Sequence, residues 1–559
     1  MSVNVTASTP AHTHCPLAGS EAAYAAAREL TNRATAHADA ASTEATRGKV
    51  WEREKRMTSY NEITHHYKLG WPLKQCGSVT GAGMLPRTAA RLSVDKYCNK
   101  DSIRLCGLFL KAFSSTHNDV VLLVVDPSRK YQKVFGFGGA FTDATGINIK
   151  SLPANMQDDI IKSYYAKQGL AYTIGRIPLA SCDFSTRKYT YDDSPGDLEL
   201  KNFRLAPEDF NLKIPYIKAA MSVSSEPIWF FGSAWSSPSW MKTSNTLEGR
   251  GTLKGKPGGP YYKAWAKYYV RFVQEYERHG IPIWGLTTQN EPTAGLIPGY
   301  RWQALGFTPK TQRDFVKLDL GQALAEAGYG AEKLQVMILD DNRIGLPLWA
   351  DVVLGDPEAA KFVHGVAVHW YLDWLIGPWV LDKVHEHFPD KFILATEACS
   401  GFQPIVKDKV KLGSWERAED YASDILEDLN HWASGWTDWN LALDTGGGPN
   451  WANNFVDSPL IVNVTANEFY KQPTYYALAH FSKFLPRGSV RIECHPEQSL
   501  LRNRAHLEYA AFTTPDSAVV VVVLNKHNKK HALKIKDRSG SHTVEKIIDE
   551  RSITTLIWR

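Results

Sequence analysis

From Val120 onward the chain alternates strand-length apolar runs with amphipathic helical stretches, and this alternation limits the fold more than any other feature. Eight runs qualify as strands: "VFGFGG" (134–139), "YTIGRIP" (172–178), "IWFFGSAW" (228–235), "IWGLTTQNEP" (283–292), "LQVMILDD" (334–341), "GVAVHWY" (365–371), "FILATEAC" (392–399) and "GWTDWNLAL" (435–443). Between them, Lys263–His279 sets Trp265, Tyr269, Phe272 and Tyr276 at spacings of three and four before Gly280, a pattern that predicts a helix. Thr311–Ala327, which ends at Gly328, and Trp415–Ala433 are predicted helices as well. Eight strand–helix units predict an α/β fold, a (β/α)8 barrel. A doubly wound nucleotide sheet fits less well, because "GFGGAF" lacks the Gly-x-Gly-x-x-Gly spacing of a phosphate loop.

The two ends follow other patterns. Residues 507–559 are strand-only: "LEYAAF", "AVVVVVL", "ALKIKD", "TVEKII" and "TTLIW", separated by polar turns. They predict a small antiparallel sheet or sandwich that Val120–Val125 can join. Residues 1–119 are unassigned and Ala-rich at their start, and no signal peptide is visible at Met1. The expected organisation is that unassigned segment, a joining strand at 120–133, the barrel at 134–487 with an insertion around 445–472, and the sandwich at 488–559.

Composition narrows the function. No apolar run is long enough to span a membrane, and a net charge of +5 is too mild to suggest nucleic acid. The excess is aromatic, with 18 Trp and 24 Tyr, as suits carbohydrate binding or an aromatic core. None of the seven Cys forms Cys-x-x-Cys, so a zinc cluster is not expected, and Cys182 and Cys399 are read as packing cysteines. No metal and no cofactor are expected. Asn4 and Asn463 head glycosylation sequons.

In such barrels the chemistry sits at the C-terminal strand ends. The fourth strand ends in Asn290-Glu291-Pro292 and the seventh in Thr396-Glu397-Ala398. Two carboxylates facing each other across the mouth can cleave a glycosidic bond, provided one keeps its proton while the other stays ionised. Arg176 on the second strand can hold Glu397 ionised, and Asn290 suits a sugar 2-hydroxyl. Either Glu alone is weak evidence. Both together, beside the aromatic strand ends Trp235, Trp240, His369-Trp370-Tyr371 and Trp436/Trp439, point to a glycosidase.

Longer stretches carry a resemblance: "FGFGGAFTDA", "ASCDFSTRKYTY", "NEPTAGL", "DPEAAKFVHGVAVHWYLD", "GGPNWANNFVDSP", "FYKQP" and "SAVVVVVLN". From about Tyr131 to Arg559 the chain resembles the glucosylceramide-cleaving members of glycoside hydrolase family 30. The resemblance implies a retaining β-glucosidase releasing glucose and ceramide, with Glu291 as acid/base and Glu397 as nucleophile. It implies that Asp183, Trp235, Trp439 and Asn454 contact glucose, that Asn290 meets the 2-hydroxyl, and that His369 and Tyr371 line the mouth. It also implies a β-sandwich built from the C-terminus and an N-terminal strand, an anionic lipid surface, a saposin-type activator and a lysosomal setting. The alternatives are a related β-glycosidase acting on xylan or β-glucan, or a glycolipid-binding protein without activity. Before Val120 the match fails: Cys15, Cys76, Cys98 and Cys106 are spaced too widely for the family's two N-terminal disulfides. The loop after Glu397 keeps Phe402 but has no Trp beside the acyl-chain path.

Overall fold

The computed structural model describes residues 120–497, 507–540 and 543–559, together with a two-residue strand, Thr64–His65. The rest of residues 1–119, with Cys15, Cys76, Cys98, Cys106 and the Asn4 sequon, lies outside the described residues.

Eight parallel strands close into a barrel: β1 (Gly136–Ala140), β2 (Ile174–Leu179), β3 (Trp229–Ala234), β4 (Ile283–Thr287), β5 (Gln335–Asn342), β6 (Gly365–His369), β7 (Phe392–Glu397) and β8 (Ala433–Asn440). All eight coincide with the apolar runs. Those runs are nearly continuous rather than alternating because a parallel barrel strand is buried on both faces. The seam between β8 and β1 closes at Gly435 opposite Gly136, where a Cβ on Gly435 would lie 2.3 Å from the Gly136 carbonyl oxygen. Ile174, Phe231, Met337, Ala367 and Leu394 fill the lumen. Phe135, Trp229, Trp284 and Phe392 plug its lower end, with the two indoles stacked at 4.8 Å.

The helices differ from expectation at their edges. The first runs Pro260–Arg278, starting on a proline that needs no N–H and ending before Gly280 at φ +77°. The predicted helix at 311–327 contains a π-helical turn, Val316–Leu320, between two α-helical pieces. The third ends at Asn430, and Ala433 already belongs to β8.

Val120–Lys133 forms one eight-stranded sheet with the C-terminal strands and Thr64–His65. Its pairs are antiparallel except that of Val120–Lys133 with His531–Asp537, which is parallel. The sequence pattern had left Val490–Pro496 unnoticed as a strand of this sheet. The run Val519–Asn525 owes its unbroken apolar character to a double role. Val521 and Val523 face the sandwich core, while Val520, Val522 and Leu524 join the main core with the barrel helices. Among the described residues, no helix is long and apolar enough to cross a membrane.

Candidate active site

The upper layer of the barrel lumen is polar, and almost every group in it bonds another. Arg176, fully buried on β2, ion-pairs with Glu397 at the end of β7. The same guanidinium donates to Asn290 Oδ1 at 2.8 Å, Asp340 Oδ2 at 2.9 Å and Ser233 Oγ at 3.2 Å. Its flat face lies 5.1 Å from the Trp235 ring and 5.4 Å from the Trp439 ring. The two indoles stack on each other at 5.0 Å. An arginine suits this place because its planar fork can bond several oxygens while stacking on aromatic faces.

Glu397 receives a second hydrogen bond, from the Tyr371 hydroxyl at 2.7 Å. Tyr371 is fixed in turn by Phe402, 4.8 Å away between ring centres. Glu291 sits three residues beyond β4's neighbour Thr288, in a left-handed backbone conformation at φ +41°. Its carboxylate accepts from Tyr300 at 3.0 Å and lies 3.4 Å from His369 Nδ1. One carboxylate oxygen of Glu291, one of Glu397 and a ring nitrogen of His369 all lie within 4.8 Å of one another. Such closeness suits direct attack by one carboxylate better than insertion of a water, which needs about 6.5–9.5 Å.

His369 has its other ring nitrogen 3.0 Å from Asp340. Burial works against its proton, but Glu397 and Asp340 outweigh that and raise its pKa to about 10. An imidazolium offers no lone pair, so the trio Glu291–His369–Glu397 is poorly suited to a metal despite its spacing. Asp183, in the loop after β2, accepts from Asn454 at 3.0 Å and Asn450 at 3.2 Å, both in the insertion after β8. Burial raises its pKa to about 7.

All ten residues expected at the site therefore converge at the C-terminal mouth. Tyr300, Asp340, Ser233, Thr287 and Thr396 belong to the network of the two glutamates and Asn450 bonds Asp183; none of the six was expected. Asp340 had a visible signal, an acidic pair closing the run "MILDD"; Tyr300 stands in an irregular loop and had none. Cys182 and Cys399 are buried in the apolar cluster that holds Trp235 and Trp439, and burial pushes both thiols up.

Comparison with known proteins agrees with this architecture. The mouse lysosomal acid glucosylceramidase is 48% identical over 440 residues, covering 78% of this chain and 84% of that protein. Putative glucosylceramidase 4 of Caenorhabditis elegans is 47% identical, covering 78% and 83%. The crystal structure of SrfJ from Salmonella typhimurium is similar at a TM-score of 0.71 and 27% identity, covering 80% of this chain and 94% of that one. The profile of the glycosyl hydrolase family 30 TIM-barrel domain matches residues 134–485, and that of the family's beta sandwich domain matches residues 488–556. With both domains matched in order, the chain belongs to glycoside hydrolase family 30.

Proposed function

We propose that this glycoside hydrolase is a retaining β-glucosidase that cleaves glucosylceramide to glucose and ceramide. The observation that carries the reading is the pair Glu291 and Glu397, close together yet differently surrounded. Glu397, ion-paired to Arg176, attacks the anomeric carbon. Glu291 gives its proton to the departing ceramide oxygen. Glu291 then takes a proton from the water that hydrolyses the glycosyl-enzyme.

The glucose lies over the stacked Trp235 and Trp439, with Asp183 and Asn454 on its hydroxyls. Arg176 occupies the Asn290 carbonyl oxygen, which leaves the amide N–H to meet the 2-hydroxyl. His369 and Tyr371 hold the two carboxylates at the mouth.

The loops after β6 and β7 support action at an anionic lipid surface. Trp374 is 71% exposed and Ile405 89%, and the exposed Lys407 and Lys411 follow Ile405. Apolar side chains flanked by cations fit the boundary of an anionic bilayer. The same reading places the enzyme in the lysosomal lumen with a saposin-type activator.

The test compares purified chain on glucosylceramide in anionic vesicles at acidic pH with a soluble aryl β-glucoside. Cleavage of both supports the reading, and an added saposin-type protein should raise turnover on vesicles. Cleavage of the aryl glucoside alone would remove glucosylceramide as substrate.

A further inference from the structure

We propose that Asp340 is the positioning residue that ties the two catalytic carboxylates into one unit. The inference rests on the roles proposed above for Glu291 and Glu397.

Asp340 lies at the end of β5 and is fully buried. Its side chain accepts five hydrogen bonds. Oδ2 takes them from Arg176 at 2.9 Å, Thr287 at 2.7 Å and Ser233. Oδ1 takes them from Thr396 at 2.7 Å and His369 at 3.0 Å. Arg176 is the cation on Glu397, and His369 is the ring beside Glu291. One carboxylate thus reaches both members of the pair, each through a single intermediary.

The main chain adds a third link. The Asp340 carbonyl accepts the Glu291 N–H at 2.8 Å, across from the strained backbone that aims the Glu291 side chain. An ordinary strand could not present these groups together. Leu339 at φ +68° and Asp340 at φ +57° are both left-handed, and the register between β5 and β6 shifts between Leu339 and Asp341. Such a bulge re-aims side chains, and non-glycine residues held left-handed are strained, as is typical of functional sites. The bulge also turns Asp341 to Thr293, whose N–H and hydroxyl it accepts at 3.1 and 2.6 Å, clamping the loop after Glu291.

The electrostatics agree with the geometry. Burial alone would raise the Asp340 pKa, but Arg176 and His369 more than offset it and hold the carboxyl ionised far below its ordinary range. Its charge is one of those that keep the proton on His369, which also faces Glu397, Glu291 and Asp341.

The experiment measures kcat and KM of Asp340→Asn on an aryl β-glucoside, beside wild type. We expect kcat to fall at least 100-fold with KM within about threefold. Both the activated aryl glucoside and glucosylceramide should suffer, because both carboxylates lose their support. Histidine NMR on labelled protein, with His369 assigned by its absence in His369→Gln, adds a readout that a merely structural role would not move. In Asp340→Asn the ring should lose its proton at a lower pH than in wild type, where Glu397 and Asp340 raise its pKa to about 10.

Should Asp340→Asn fail to fold, Thr396→Val removes one donor and keeps every charge. It should lower kcat about tenfold at unchanged KM. Wild-type kcat in Thr396→Val, a KM rise matching the loss in kcat/KM, or an unmoved His369 titration in Asp340→Asn would overturn the proposal. A wild-type chain inactive on the aryl glucoside would instead refute the glycosidase reading itself.

Discussion

Lys213 offers a quantitative test of how the loop that carries Asp183 is held. Its ammonium is fully buried between two carboxylates, 3.5 Å from Asp143 and 3.4 Å from Asp209. It also donates to the Pro178 and Ala180 carbonyls at 3.2 and 2.9 Å, where β2 turns into the loop that carries Asp183. Asp143 continues the chain of contacts, accepting from Ser185 at 2.6 Å and Tyr189 at 2.9 Å within that loop. Lys213→Met keeps the length of the side chain and removes the charge. One buried carboxylate then lacks a cation, and the least costly remedy is to protonate Asp143, whose pKa burial already raises. Protonating a carboxyl costs about 1.4 kcal/mol for each pH unit above its unfolded value near 4. The variant should therefore lose about 4 kcal/mol at pH 7, within the usual range for a broken buried pair, and about 1 kcal/mol at pH 4.5. The sign follows from linkage. The folded variant holds a proton that the unfolded chain releases, so its stability falls as pH rises. Because Asp143 is already raised in wild type, the difference of about 3 kcal/mol between the two pH values is a ceiling. Guanidinium unfolding of both proteins at pH 4.5, 5.5 and 7 measures it. A loss that does not change with pH, or one below about 1 kcal/mol at pH 7, would refute the argument that the cation compensates buried charge.

Four further outcomes are expected. Glu291→Gln should spare an activated aryl glucoside, whose leaving group needs no proton, far more than glucosylceramide; equal losses on both would argue against Glu291 as the acid. Glu397→Gln should give no covalent adduct with a 2-fluoroglucoside, and mass spectrometry finding one would remove it as nucleophile. Trp374→Ser combined with Ile405→Ser should reduce turnover on anionic vesicles several-fold while leaving the aryl glucoside rate unchanged; an equal fall on both substrates would place these residues elsewhere than at the lipid surface. Thermal midpoints should be higher at pH 5 than at pH 7.5: Asp424, raised to about 6, and Asp183, raised to about 7, stabilise the fold while protonated and lose that contribution as pH rises from about 4. His480, buried and lowered to about 4, tilts the curve the other way between pH 4 and its unfolded value, so a midpoint higher at pH 7.5 than at pH 5 would show that it wins.

The barrel was legible because each of its strands is an apolar run bounded by helical periodicity, a signal that survives without tertiary information. The two glutamates were legible because strand ends are where such a barrel places reacting groups. What the sequence concealed depends on backbone geometry. Asp340 stands beside an identical residue, and only the bulge at Leu339–Asp340 decides which of the two carboxylates enters the lumen. Tyr300 reaches Glu291 from an irregular loop that has no period to read. Asn450 bonds the carboxylate of Asp183, 267 positions away in the chain, by virtue of barrel closure alone. Val490–Pro496 was hidden for a related reason, since its run "VRIECHP" mixes Arg, Glu and His into a strand whose burial is only partial.

Charge balance connects this hidden layer to the conditions in which the enzyme should work. Around the proposed glucose position stand two cations, Arg176 and His369, and five carboxyls, Asp183, Glu291, Asp340, Asp341 and Glu397. Asp340 is held ionised by both cations, and Glu397 is ion-paired to Arg176. These four charges cancel. A further negative charge on Asp183 would be uncompensated in a buried site, which is costly. Asp183 accordingly takes up its proton near pH 7. Its protonated carboxyl can donate one hydrogen bond to a sugar hydroxyl while still accepting from Asn450 and Asn454. Glu291 must carry the other proton to serve as the acid. Raising the pH therefore withdraws the proton, and with it the donor, of Asp183. If Asp183 donates to the sugar as proposed, losing that proton above about pH 7 favours an acidic working range, independently of the compartment in which the protein is found.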